Sequence, residues 1–261
     1  MKAQDIINHL HELGTWVNWR KTRDIVLAGD PDIEVEKIAT CWMMTNKVIQ
    51  QAITAKVNFI ICHETPYYEA STEPYQIYYQ SANRKRKLLA QHNICVFRCH
   101  DVLDRLPEVG IPDSWGQAIG LPFKDRPVNS FYKYAEFEPT SVTEIAKKVA
   151  KAVAACGQDA VQVFGDPQRL ITSLAIGTGA ITNIDDFLKL PVEAVVFSED
   201  GCKSYQDIQY CLDNNIAAIR VNHSACEVPG MRALADYLQK TFNIPSQHLA
   251  EGFDCTTVFP E

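Results

Sequence analysis

Three histidines stand where short apolar, β-prone runs end, each with a carboxylate one or four residues downstream. Asn58-Phe59-Ile60-Ile61-Cys62 leads into His63-Glu64. Ile94-Cys95-Val96-Phe97 leads through Arg98-Cys99 into His100, with Asp104 four residues on. Ile216 to Asn222 leads into His223, with Glu227 four residues on. Imidazole binds zinc, iron, nickel or manganese, and carboxylates offset the charge of two cations brought together, so the mixed set favours a dinuclear divalent-metal site. Two ions a few ångström apart lower the pKa of a shared water and polarise a substrate oxygen, the elements of metal-assisted hydrolysis. His63-Glu64 does not open a His-Glu-x-x-His helix, because Tyr67 takes the last position, which argues against a zincin-type protease.

For six side chains so far apart in sequence to converge, the runs before them must be strands sharing one sheet edge. In an open α/β sheet, ligands collect beyond the carboxyl ends of the strands. The first half supports this by alternation. Ile6, Ile7 and Leu10 mark an amphipathic helix, Ile38 to Trp42 a strand, Lys47 to Lys56 a helix, then the Phe59 strand, a helix over Arg84 to His92 and the Val96 strand. Such βαβ alternation implies a parallel sheet, and the right-handed crossover puts the exits bearing His63 and His100 on the same edge. Leu121-Pro122 and Arg126-Pro127 interrupt regular structure and place a domain boundary near residue 127, giving domains 1–127 and 128–261.

The second half repeats the pattern. Phe131 to Phe137 alternates like a strand. Ser141-Val142-Thr143-Glu144 is a capping box opening a helix with Ile145, Val149 and Val153 on one face, closed by Gly157. Ala160 to Phe164, Leu174 to Ile176 and Ala194 to Phe197 follow as strands, the second leading into Gly177-Thr178-Gly179 and the third into Ser198-Glu199-Asp200. A helix over Tyr205 to Leu212 precedes the His223 strand, and Pro229 suits the start of a last helix carrying Leu234, Tyr237, Leu238 and Phe242. The fold class expected is α/β, with two domains of similar architecture.

Composition narrows the function. With 261 residues, 46% of them hydrophobic, the chain can bury a core, and its net charge of -7 opposes broad binding to nucleic acid or an anionic membrane. No stretch reaches the apolar length of a membrane-spanning helix and no signal-peptide centre is present, so a cytoplasmic location is expected. Nine scattered cysteines without a Cys-x-x-Cys pair point to reduced thiols packed in the core, with Cys226 retained as a neighbour of the site. His9, His11, His92 and His248 fall in helical or terminal segments and are read as surface or packing residues. The tyrosines at 67, 68, 75, 78 and 79 read as packing or interface residues, or as a stacking wall beside the metals. Arg84 to Lys87 reads as a solvated helix start, with attraction of a phosphate as the alternative, and Gly177-Thr178-Gly179 as a tight turn.

The segments Ile60 to Pro66, His100 to Asp104 and His223 to Glu227 resemble the three metal-binding motifs of the Nif-three-like family, whose members are often labelled GTP cyclohydrolase I type 2. The resemblance spans nearly the whole chain, taking in Asp113-Ser114-Trp115-Gly116 through Gly120-Leu121 and Ile176 to Gly179. It implies two α/β domains with a dinuclear site in the cleft between them, a hexamer built from dimers, and His63, His100, Asp104, His223 and Glu227 as ligands. The family usually has two adjacent histidines in the first motif, where this chain has His63 followed by Glu64. Glu64 either ligates as an oxygen donor, favouring harder ions such as manganese or iron, or acts as a base toward water at the metal. Three functions stay open: a metal-dependent hydrolase of a nucleotide-like or phosphate-bearing small molecule, a non-catalytic metal-binding scaffold or trafficking protein, and a plain cofactor-binding protein.

Overall fold

A computed structural model describes residues 1–67, 76–125, 130–202, 205–251 and 257–258, with the backbone alone at 76–78. The chain divides into two compact units, Met1–Gly110 with Met231–Gly252, and Ile111–Gly230 with Phe253–Glu261. The expected boundary at residue 127 lies outside the described residues.

The first unit contains α1 (Ala3–Leu13), β1 (Val26–Ala28), β2 (Ile38–Met43), α2 (Asn46–Thr54), β3 (Phe59–Glu64), α3 (Gln76–Gln91) and β4 (Cys95–Arg98). Its sheet runs β1-β4-β3-β2-β10, where β10 (Ser246–His248) returns late in the chain to pair parallel with β2. β2, β3 and β4 are parallel, in register Thr40↔Ile61 and Ile61↔Phe97, so the His63 and His100 ends share one edge. Phe59, Ile60, Ile61 and Cys62 are fully buried, because a central parallel strand is covered on both faces and therefore reads as a continuous apolar run. Thr45 caps α2 by accepting from Val48 N at 3.3 Å.

The second unit contains α4 (Ile111–Ile119), β5 (Lys133–Ser141), α5 (Val142–Ala154), β6 (Gln162–Phe164), β7 (Leu170–Ile176), α6 (Ile184–Phe187), β8 (Ala194–Ser198), α7 (Tyr205–Asp213) and β9 (Ala217–Val221). Its sheet runs β5-β7-β8-β9-β6, with β7, β8 and β9 parallel and both edges antiparallel. One face packs Val142, Ile145, Val149 and Val153 of α5 against Leu174, Val196 and Ile219. Ser141 caps α5 through Glu144 N at 3.2 Å, but the Glu144 carboxylate turns to Lys147 at 2.7 Å instead of closing the box.

Two expectations need correction. Pro229 does not open the last helix: α8 (His223–Phe242) is continuous, with Pro229 inside its second turn. The ring removes one backbone hydrogen bond, and the burial of Ala225, Cys226, Met231 and Leu234 along the same helix offsets that loss. Arg84 to Lys87 is not a helix start either, although Arg84, Arg86 and Lys87 are exposed as expected. It lies within α3, and Lys85 is fully buried, its ammonium donating to Pro66 O at 2.6 Å while Arg86 sits 4.0 Å over the Tyr67 ring. These contacts hold the segment that follows His63-Glu64. Of the tyrosines, Tyr67 is a packing residue, Tyr79 is exposed, and Tyr68, Tyr75 and the side chain of Tyr78 lie outside the described residues. His248, set aside on sequence grounds, pairs with Thr40 in the sheet, and burial pushes its ring down to about 4. No helix among the described residues is long and apolar enough to cross a membrane.

Candidate functional site

In the first unit β3 delivers His63 and Glu64, and the turn after β4 delivers His100, Asp101 and Asp104. The imidazoles of His63 and His100 stack with centroids 4.5 Å apart and planes within 1°. His63 Nδ1 lies 3.2 Å from Cys99 O. A carbonyl only accepts, so Nδ1 donates to it and Nε2 is the nitrogen turned toward the carboxylates. That Nε2 faces Asp104 Oδ1 at 3.4 Å. His100 Nε2 faces Glu64 Oε1 at 3.4 Å, and its Nδ1 lies 3.1 Å from Asp101 Oδ1 and 3.2 Å from Asp104 Oδ2. His63, His100 and Asp104 each offer one ligand atom within 4.8 Å of the others, on residues that are buried or half-buried.

The charges are arranged for a cation. Burial alone would depress the His100 ring, but Asp104, Asp101 and Glu64 outweigh it and raise the ring to about 12. Burial would likewise raise the Glu64 carboxyl, yet the bond to His100 and the charges of His63, His100 and Arg98 hold it at about 2. Without a metal, a proton on His100 is the positive charge that keeps three carboxylates together. An ion accepting from imidazole and carboxylate would replace it, so this donor set fits a divalent metal. Arg98 steadies the pair from behind, donating to His63 O at 3.0 Å and to Glu64 Oε2 at 2.7 Å.

Sequence reasoning missed Asp24. It is 2% exposed, and its carboxylate accepts from the backbone N–H of His100, Asp101 and Val102 at 2.6, 2.7 and 2.9 Å. It fixes the start of the turn that carries His100 and Asp104. No local signal marks it, because its partners lie some 76 residues away.

In the second unit His223 opens α8 just beyond β9, and Glu227 follows one turn later on the same face. His223 Nε2 lies 3.0 Å from Glu227 Oε2 and its Nδ1 2.8 Å from Asp200 Oδ2. Its backbone N–H donates to Glu199 Oε2 at 2.7 Å. Asp200 thus orients the ring and presents Nε2, as carboxylates do for metal-ligating histidines. Glu199 and Asp200 stand just past β8, an exit visible in the sequence but without a histidine to draw attention to it. Cys226, expected as a neighbour of the site, belongs to the core. Its thiol donates to His223 O at 3.1 Å, and burial pushes it well above the ordinary range, so it stays protonated.

Gly177-Thr178-Gly179 forms the expected turn, and the last glycine has a further role. Gly179 has φ +58°, and a Cβ there would lie 2.5 Å from Glu227 Oε1 and 2.8 Å from His223 Nε2. Gly179→Ala is therefore expected to lower stability by about 1 to 3 kcal/mol through left-handed strain and the displaced pair. Thermal unfolding would show it as a lower Tm, and an unchanged Tm would mean the glycine is dispensable. Together these contacts place His63, Glu64, His100 and Asp104 in one donor set within the first unit, and His223 and Glu227 in another within the second.

A family model described as Duf34/NIF3 (NGG1p interacting factor 3) matches residues 1–251. A Chlamydia pneumoniae protein named GTP cyclohydrolase 1 type 2 homolog is 25% identical over 256 residues, covering 94% of this chain and 96% of its own. Among solved structures, the Staphylococcus aureus hypothetical protein SA1388 aligns with TM-score 0.82 at 18% identity, covering 99% of each chain. A Bacillus cereus protein related to NIF3 aligns with TM-score 0.81 at 10% identity, again over 99% of each chain. At these identities the two structures speak for the fold alone.

Proposed function

Because the chain belongs to the Duf34/NIF3 family, we propose that it is a divalent-metal-binding protein, with a donor set in each unit, that holds two metal ions and catalyses hydrolysis of a small molecule. The ligands are His63, Glu64, His100 and Asp104 from the first unit and His223 and Glu227 from the second, with zinc, iron, manganese or nickel as the ions. The observation that carries this reading is the facing of His63 Nε2 and Asp104 Oδ1 beside a His100 ring ringed by three carboxylates. Three carboxylates brought this close together need positive charge between them, and imidazole with carboxylate is a donor set that a divalent ion can take.

Glu64 fits a ligand better than a base. One of its oxygens is engaged by Arg98 and the other faces His100, and an ion-paired carboxylate is a poor proton acceptor at neutral pH. When bound, divalent ions supply Lewis acidity, lowering the pKa of a water and polarising a substrate oxygen. The protein's own part is orientation: Cys99 O sets the His63 tautomer, Asp200 sets His223, and Arg98 holds Glu64. The relative's name suggests a nucleotide-like heterocycle as substrate, and hexameric assembly follows from the resemblance already drawn.

Elemental analysis of protein purified without added metal tests the site. The wild-type chain is expected to retain close to two ions, and His100→Ala and Glu227→Ala to lose at least half of them. Unchanged metal content in both variants would contradict the assignment. Loaded protein inert toward nucleotides, phosphoesters and cyclic amides would keep the metal site and remove the hydrolase.

A further inference from the structure

At the edge of the second sheet β6 pairs with β9 in the register Gln162↔Arg220. Beside that pair lies an open cavity of about 460 Å³ that extends to Glu199 and Asn222, next to His223. Its size matches sites for small metabolites, which span roughly 300 to 1,000 Å³. Most of its polar groups are already engaged. Glu199 accepts from Asn222 Nδ2 at 2.9 Å and from His223 N at 2.7 Å. Asp159 accepts from Thr257 N and Oγ1 at 3.2 and 2.7 Å. Gln158 donates to Ala160 O at 2.6 Å and accepts from Asn222 N at 2.8 Å.

Arg220 differs from its neighbours. Its Nε donates to Gln162 Oε1 at 2.6 Å and its guanidinium carbon lies 5.8 Å from the Phe164 ring centroid. Among the described residues it forms no ion pair, and neither its two Nη groups nor the Gln162 Nε2 has a hydrogen-bond partner. Beside the β6–β9 pair the uncommitted side-chain groups are therefore donors, one of them a half-buried positive charge in a chain of net charge -7. A planar guanidinium with both Nη groups open matches a carboxylate or phosphate through two parallel hydrogen bonds.

We propose that this cavity anchors the carboxylate or phosphate group of a small molecule on Arg220 and Gln162. The carboxylates of Asp159 and Glu199, which also line the cavity, oppose a second negative group and favour hydroxyl or ammonium donors on the ligand. The ligand class is thus a small molecule with one anionic end and a hydrogen-bond-donating body that extends toward Asn222 and His223. Its use as a substrate anchor rests on the metal-hydrolase reading, whereas binding of the anion does not.

The test is an NMR titration of the full-length, chelator-treated protein with inorganic phosphate and, separately, with acetate, at constant ionic strength against a sodium chloride control. Saturable shifts around residues 158–162 and 220–222 are expected with at least one of the two, and the stronger probe tells a phosphate site from a carboxylate site. Arg220→Gln should weaken that binding by at least about tenfold, the effect of losing a charge-assisted bidentate contact. Gln162→Leu should weaken it less and gives a second reading if the arginine variant does not fold. No saturation beyond chloride with either probe, or undiminished binding in a folded Arg220→Gln, would overturn the proposal. Because the metal is removed throughout, failure of the metal assignment shows up in elemental analysis and not here.

Discussion

Asp24→Ala is expected to lower the free energy of unfolding by roughly 3 to 5 kcal/mol, since each buried donor left without a partner costs about 1 to 3 kcal/mol. Three backbone N–H groups, those of His100, Asp101 and Val102, converge on this one carboxylate. An opposing effect exists. Burial pushes the Asp24 carboxyl up, so removing it relieves some desolvation, but one relieved group does not balance three stranded donors. Asp24→Asn keeps an amide oxygen that can still accept, and should lose less than half as much. Urea unfolding measures both, and a midpoint for Asp24→Ala equal to wild type would show that the turn holds itself. Because that turn carries His100 and Asp104, metal content should fall along with stability.

Metal uptake is expected to release a proton and to strengthen about tenfold per pH unit between pH 6 and pH 8, as for any ligand that must first be deprotonated. Without metal the His100 ring is raised to about 12 by its carboxylate neighbours, so at neutral pH it is charged and has no lone pair for an ion. Glu64, held at about 2, is ionised throughout and releases nothing. The same shift sets the sign of stability without metal. A ring raised above its ordinary 6.5 stabilises the fold fully below pH 6.5, and that contribution fades as pH climbs toward 12. Chelated protein should therefore weaken on the alkaline side, where metal-loaded protein does not. Calorimetric titration in buffers of different ionisation enthalpy counts the protons. A pH-independent affinity with no proton release would contradict the assignment of His100.

What could be read from the sequence follows from which physics is local. β3, β4, β8 and β9 announce themselves, because a strand covered on both faces is largely apolar, and polar residues such as Arg98 in β4 and Arg220 in β9 first become tolerable near its exit. The helix caps at Thr45 and Ser141 are local as well. β1 and β10 are three-residue edge strands without a pattern of their own, the second placed only by its pairing with β2. The basic neighbours of Lys85 in sequence suggest a solvated side chain, whereas it is buried and donates to Pro66 O. Pro229 was read as a helix start because proline disfavours helix interiors, a preference that tertiary burial along α8 overrides. Of the site, the residues with histidines nearby were legible, whereas Asp24, Glu199 and Asp200 act through contacts distant in sequence.

The most direct test of the central claim is anomalous scattering collected at the manganese, iron, nickel and zinc edges from a single crystal of the protein as purified. The account predicts metal peaks bonded to His63, Glu64, His100 and Asp104 and to His223 and Glu227, and the edges would identify the ion. Crystals grown with those ions present that show no peak at these side chains would contradict it.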